Sequence, residues 1–172
     1  MRKLILYIAA SLDGKIAGSD HSLDWLPDPS TDDYGYQELM DTIDTVVMGY
    51  KTYKICMGLG WTYHGKQAYI FSRSEGKSVI PEAKLITDDP SSFIDKLKRE
   101  DGKDIWLIGG GEMVRILHDA GLIDEYILTT IPIILGDGIE LFPRIKAKLP
   151  LHLIKHKAYD NGLTMAYYKQ RI

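Results

Sequence analysis

Short apolar runs alternate along this chain with segments whose apolar residues recur at helical spacing. Runs at 3–10, 45–48, 67–71, 84–86, 105–108 and 125–131 predict strands, and stretches at 33–43, 51–57, 90–100 and 112–120 predict helices. Several helix ends are marked. Asp89-Pro90 supplies a capping carboxylate and a proline for the first helical position, Thr31 or Asp32 is placed to cap the segment opening at Asp33, and Gly121 stands where a left-handed glycine ends a helix. Strands alternating with helices predict an α/β fold around a mostly parallel sheet. The pattern changes near the end. Runs at 149–157 and 163–170 flank Tyr159-Asp160-Asn161-Gly162, and Asn-Gly is a strong hairpin signal, so the sheet is expected to finish in an antiparallel pair. No repeat or linker interrupts 1–172, which reads as one domain.

Composition narrows the function classes. The chain has 172 residues, 45% hydrophobic and 26% charged, an ordinary globular balance with length enough for a sizeable core. Net charge is −3, and the densest basic group, Lys96-Leu97-Lys98-Arg99, adjoins Glu100 and Asp101, which reads as a solvated helix end and not a nucleic-acid footprint. The single cysteine, Cys56, leaves no internal disulfide and fits a reducing cytoplasm. Histidines 21, 64, 118, 152 and 156 are scattered, each reads as a surface residue, and no metal site is expected. Met1-Arg2-Lys3 before the run 4–10 imitates a secretory leader, but the run is short and contains Tyr7, so a first core strand accounts for it better. No run approaches the roughly 20 apolar residues of a membrane span.

Candidate chemistry collects where predicted strands stop. The run 105–108 passes through Gly109-Gly110-Gly111 straight into the segment 112–120. Glycines let a ligand approach the backbone and helix-start amides attract anions, although a tight turn needing positive φ has the same sequence. Gly49-Tyr50-Lys51-Thr52 repeats the arrangement after 45–48, with a lysine and a hydroxyl in the first turn. After 67–71 comes Ser72-Arg73-Ser74, a hydroxyl beside a guanidinium whose planar fork suits phosphate. Singly, each is equally an ordinary turn or surface arginine. Three together at strand carboxyl ends, where open α/β sheets bind ligands, point to a phosphate-bearing cofactor.

No nucleophile elbow, Walker lysine or His-Glu-x-x-His occurs, which leaves hydride transfer as the chemistry such a site would serve. A proton must also reach the acceptor. Asp13, Asp32 and Asp33 are the candidates, because a carboxyl in an apolar pocket has its pKa raised toward neutrality. Each has a plainer alternative: Asp13 in an Asp-Gly turn, Asp32 or Asp33 as a helix cap.

These residues resemble the dihydrofolate reductase superfamily, including its branch of riboflavin-biosynthesis reductase domains. Ala9-Ala10-Ser11-Leu12-Asp13-Gly14-Lys15-Ile16-Ala17 is similar to the first strand and loop, and its Ser-Leu-Asp-Gly is typical of the riboflavin branch. Trp25 stands where the mobile loop of dihydrofolate reductases carries a tryptophan. Val47-Met48-Gly49 with Thr52-Tyr53, Ile108-Gly109-Gly110-Gly111-Glu112, Leu128-Thr129-Thr130-Ile131, Gly136-Asp137 and Phe142-Pro143 follow in the family's order. The resemblance implies a dihydrofolate reductase-like fold, with a central mostly parallel sheet of about eight strands, flanking helices and a C-terminal hairpin. It implies NADPH as cofactor. Gly109, Gly110, Gly111 and Glu112, with flanking Ile108 and Met113, would run along the pyrophosphate and nicotinamide. Gly49, Lys51 and Thr52 would hold the other face, Ser72 and Arg73 would read the 2′-phosphate, and Ala10 and Ala17 would flank the nicotinamide. Asp33 and Thr129 match the acid–threonine pair of dihydrofolate reductases.

Departures are equally specific. Tyr50 replaces the usual arginine, Tyr7 stands where riboflavin reductases commonly place a lysine, and Gly109 stands where they tend to have glutamate. The expectation is a cytoplasmic NADPH-dependent reductase of a small heterocycle, similar to 5-amino-6-(5-phosphoribosylamino)uracil reductase. Asp33 or Asp13, with Thr129, would serve the acceptor, and the loop 18–28 would act as a lid. A true dihydrofolate reductase and a non-catalytic nucleotide-binding module are the alternatives. Relatives in the branch often form dimers, and 126–128 or the C-terminal hairpin is the expected apolar contact face.

Overall fold

The structure, a computed structural model, describes residues 1–28 and 30–171. Along the chain run β1 (Leu4–Ser11), β2 (Lys15–Ala17), α1 (Tyr36–Thr42), β3 (Ile43–Gly49), α2 (Tyr50–Leu59), β4 (Gln67–Phe71) and β5 (Ala83–Ile86). Then come α3 (Pro90–Arg99), β6 (Asp104–Gly109), α4 (Gly111–Asp119), β7 (Glu125–Ile131), β8 (Ile139–Glu140), β9 (Leu151–Ala158) and β10 (Thr164–Gln170). Eight strands form one sheet in the order β5-β4-β3-β6-β1-β7-β10-β9. It is parallel from β5 to β7, β10 is antiparallel to β7, and β9 is antiparallel to β10. The fold is dihydrofolate reductase-like.

The central strands read as continuous apolar runs because both faces are covered. In β3, Val47 enters the core on the α3/α4 face while Val46 and Met48 enter the core on the α1/α2 face. In β6, Ile105 and Leu107 take the first face and Trp106 the second. Each such buried aliphatic side chain contributes about 1.5–3 kcal/mol. Ile94 and Leu97 of α3 and Val114 and Leu117 of α4 close one layer, and Leu39 of α1 and Tyr53 of α2 close the other.

Several expectations are corrected. The first helix begins at Tyr36, not at residue 33, because Tyr34 (φ 49°) and Gly35 (φ 79°) adopt left-handed backbone that cannot continue a helix. Lys98 is not a solvated cation: only 4% of it is exposed, and its Nζ donates to Leu122 O and to Asp124 Oδ2 at 2.6 Å. His118 is also buried, its ring nitrogens meeting the Tyr126 hydroxyl at 2.9 Å and Ala147 O at 2.8 Å. The segment 126–128 offers little as a contact face, since Tyr126 and Ile127 are buried in this chain's own core. The hairpin does present an edge: β9 ends the sheet, with Leu153 and Ile154 exposed. The small sheet of β2 with β8 was not foreseen. No helix among the described residues is long and apolar enough to cross a membrane.

Candidate functional site

The two glycine turns meet. β3 and β6 are parallel neighbours, so α2 and α4 start side by side at the same edge of the sheet. The N-caps are Gly49 and Gly110, and neither helix has a side-chain cap. By contrast Asp89 caps α3 by accepting from Ser92 N at 2.8 Å. The unpaired amides of α2 and α4 therefore face one shallow cradle with the positive ends of two helix dipoles behind it. A Cβ on Gly110 would come within 3.2 Å of Thr52 Oγ1, so the space between the turns exists because the residue is glycine. Gly109 needs glycine for its backbone as well, at φ 134°. Gly111 serves packing instead: a Cβ there would lie 2.2 Å from the Glu140 carbonyl oxygen, against β8. Buried Met113 lies under Gly49, and half-buried Ile108 precedes the triplet.

Cations stand around this cradle. Lys51 is exposed in the first turn of α2. Arg73, beyond the end of β4, is 85% exposed and donates to Glu112 Oε1 at 2.9 Å. Ser72 Oγ sits in the same turn, accepting from Ser74 N. The structure adds residues that the sequence did not point to. Lys77 lies over the Tyr50 ring, with Nζ 4.4 Å from its centroid, so a cation stands beside the position where the family has arginine. Arg115 holds both oxygens of Glu112, at 2.7 and 3.1 Å, and with Arg73 and Arg144 it keeps that carboxyl below its ordinary pKa. Lys77 carries no local signal, since it is far in sequence from Tyr50. Arg115 was legible only as an i,i+3 partner of Glu112.

A second part of the rim lies at the ends of β1 and β7. Buried Ala10 and Ala17 border it, and Ile16 lies beside Gly110. Trp25 and Leu26 of the loop 18–28 pack with Ala9, Tyr34, Ile131, Leu163 and Tyr159. Tyr34 is held at three points. Its N–H donates to Asp32 Oδ1, its carbonyl accepts from the Tyr7 hydroxyl at 3.0 Å, and its own hydroxyl accepts from Asn161 Nδ2 at 3.0 Å. Tyr7 is thus occupied structurally, and burial pushes its phenol pKa well up.

The expected proton donors take other roles. Asp13 accepts from Ser11 Oγ, Leu135 N and Gly136 N, which pins the first loop to the segment after β7. Those hydrogen bonds, that of Ser11 first, lower its pKa to about 2, the opposite of the raised value a proton donor needs. Asp33 is exposed and accepts from Gly35 N at 3.0 Å and Gln37 N at 3.3 Å, at the start of α1. Thr129 is buried opposite Ala9, and among the described residues no hydrogen bond joins it to Asp33. The acid–threonine pair is therefore not formed.

The chain matches the RibD C-terminal domain over residues 2–165. It is 36% identical over 171 residues to the uncharacterized protein YwjB of Bacillus subtilis, covering 98% of both chains. Among solved structures it superposes on a putative riboflavin biosynthesis protein of Shewanella sp. PV-4 with TM-score 0.87 and 28% identity, covering 99% of each. It also superposes on a diaminohydroxyphosphoribosylaminopyrimidine deaminase/5-amino-6-(5-phosphoribosylamino)uracil reductase of Thermotoga maritima with TM-score 0.75. That pair shares 16% identity, and the match covers 99% of this chain and 57% of the other, a likeness of fold. With its glycine turns, strand order and full-length match in agreement, the chain belongs to the RibD C-terminal domain family, a family of reductase-like fold.

Proposed function

We propose that this chain is an NADPH-dependent reductase acting on a C=N or C=O bond of a small heterocycle. The observation that carries this reading is the meeting of two uncapped, glycine-opened helix N-termini at adjacent strand ends. Unpaired helix-start amides are a standing cost, and a diphosphate bound between them offsets it. In this reading Gly49, Lys51 and Thr52 line one side of the diphosphate, and Gly109, Gly110 and Gly111 the other, with Ile108 and Met113 beneath. Ser72 and Arg73 take the 2′-phosphate, and Lys77 serves in place of the family's arginine. Ala10 and Ala17 border the nicotinamide. Bound NADPH would supply the hydride. The chain's own task is to orient the two reactants and exclude water, with the loop 18–28 as the cover over the acceptor.

Asp13, whose pKa is lowered by its hydrogen bonds to Ser11, Leu135 and Gly136, is not suited to give up a proton to the acceptor. We therefore assign the proton to water at the mouth, with Asp33 placing the substrate and Thr129 lining the wall. Because Tyr7 is committed to Tyr34, it does not replace the lysine of the riboflavin branch, and a ribosylaminopyrimidine would lack that contact here. Titration with NADPH and NADH, read by nicotinamide fluorescence excited through Trp25, Trp61 and Trp106, tests the cofactor. NADPH is expected to bind more tightly. Binding of neither would overturn the reading. A screen of pterins, ribosylaminopyrimidines and simple carbonyls for NADPH oxidation then separates an enzyme from a binding module.

A further inference from the structure

Glu112 is out of place in a cradle for phosphates. It is the only acid in the first turn of α4, at the helix end where a phosphate is proposed to bind. It is also not a partner that depends on Arg73, because Arg115, one turn along the same helix, already engages both of its oxygens. Arg73 nevertheless turns toward it. In the sheet order, β3 lies between β4 and β6. Arg73 follows β4 and Glu112 follows β6, so their ion pair reaches across the carboxyl end of β3, where Gly49 opens α2. A dinucleotide running from the Gly109–Gly111 turn to Ser72 and Arg73 must pass over that same strand end.

From this arrangement, and resting on the dinucleotide reading above, we infer that Glu112 is an internal competitor for Arg73. Its carboxylate occupies the guanidinium that a 2′-phosphate would use, and so it sets how strongly the site prefers the phosphorylated dinucleotide. The latch is weak by construction. Arg73 makes one hydrogen bond to Glu112 with its side chain 85% exposed, and exposed ion pairs are worth little. A dianionic phosphate, offered the other guanidinium N–H groups, displaces it. A dinucleotide lacking that phosphate has no means to recruit Arg73 and leaves the pair closed. Glu112 is thereby a specificity-determining residue and not a direct cofactor ligand.

The test is a titration of the full chain with NADPH and with NADH in four forms: wild type, Glu112→Gln, Arg73→Ala and the double variant. Glu112→Gln keeps the side-chain length and a hydrogen-bond acceptor for Arg115, and a thermal melt in each case verifies folding. The expected result is NADPH affinity raised about three- to fivefold in Glu112→Gln, with NADH changed by less than about twofold. In the Arg73→Ala background the Glu112→Gln effect on NADPH disappears, since there is no arginine left to release. The gap between wild type and Glu112→Gln also closes at high ionic strength. If wild type binds NADPH but Glu112→Gln does not tighten it, or tightens NADH equally, or acts undiminished without Arg73, the competition is refuted while the cofactor reading stands. If wild type binds neither dinucleotide, the cofactor reading falls and the inference with it.

Discussion

The ends of β3, β4 and β6 and the ends of β1 and β7 are two halves of one rim built in different ways. The first half is local. Each of its groups lies at a strand's end or within a few residues of it: Gly49 and Thr52 at β3, Ser72 and Arg73 at β4, Gly109 to Glu112 at β6. The second half is stitched from distant segments: Asp13 to Leu135 and Gly136, Tyr7 to Tyr34, Tyr34 to Asn161. Charge divides the same way. Lys51, Arg73, Lys77, Arg115 and Arg144 surround the first half, whereas residues 16–35, whose Trp25, Leu26 and Tyr34 pack at the second, carry five Asp and no Lys or Arg. One half is thus assembled from residues adjacent in sequence, while the other depends on hydrogen bonds between segments far apart in the chain.

The largest expected effect breaks the separation between the halves. In Gly111→Ala the new Cβ would meet the Glu140 carbonyl oxygen at 2.2 Å and Pro143 Cδ at 3.1 Å. Glu140 belongs to β8, which pairs with β2 beside the acceptor, so a clash at the glycine turn is passed directly to the other half. A loss of about 1–3 kcal/mol is expected in denaturant unfolding, together with loss of NADPH binding. An unchanged unfolding midpoint would show that the halves are not coupled there.

A smaller effect sharpens the contrast. Asn161→Ala removes the hydrogen bond to the Tyr34 hydroxyl and is expected to cost about 1 kcal/mol. Because Tyr34 belongs only to the acceptor half, NADPH affinity should hold while the KM for any substrate found rises. A matching loss of cofactor affinity would argue against two separable halves.

The smallest effect is seen with acid. The Asp13 carboxyl, ordinarily near 3.8, has its pKa lowered to about 2 in the fold. Its contribution to stability is therefore complete above about pH 4 and lost as pH falls toward 2. Asp13→Asn should lower the melting temperature at pH 6 and lose that deficit near pH 2. A deficit independent of pH would mean that the loop clasp does not depend on the charge.

This contrast also marks what was legible in the sequence. Gln67–Phe71 and Glu125–Ile131 were placed to the residue because strands covered on both faces are continuous apolar runs. Glycine at the ends of β3 and β6 was legible because strand, turn and helix follow within a few positions. The start of α1 was misplaced because nothing local announces that Tyr34, an aromatic residue, takes positive φ under its tie to Tyr7 and Asn161. The β2–β8 sheet leaves no local pattern, because three residues pair with two across more than a hundred positions. Lys98 and His118 looked like surface residues because their partners, Asp124 and Tyr126, are brought to them only by the packing of α3 and α4. The sequence leaves Asp13 open as a turn residue or as an acid, and its bonds to Leu135 and Gly136, distant in the chain, decide between the two.

In the proposed function the paired N-termini of α2 and α4 hold a dinucleotide phosphate. Backbone amide resonances of the isotope-labelled protein, followed during NADPH addition, test it most directly. Tyr50, Lys51, Thr52, Gly111, Glu112 and Met113 are expected to shift most, and the Asp89-capped start of α3 to stay still. Saturable shifts confined to other elements, with these six amides unmoved, would contradict it.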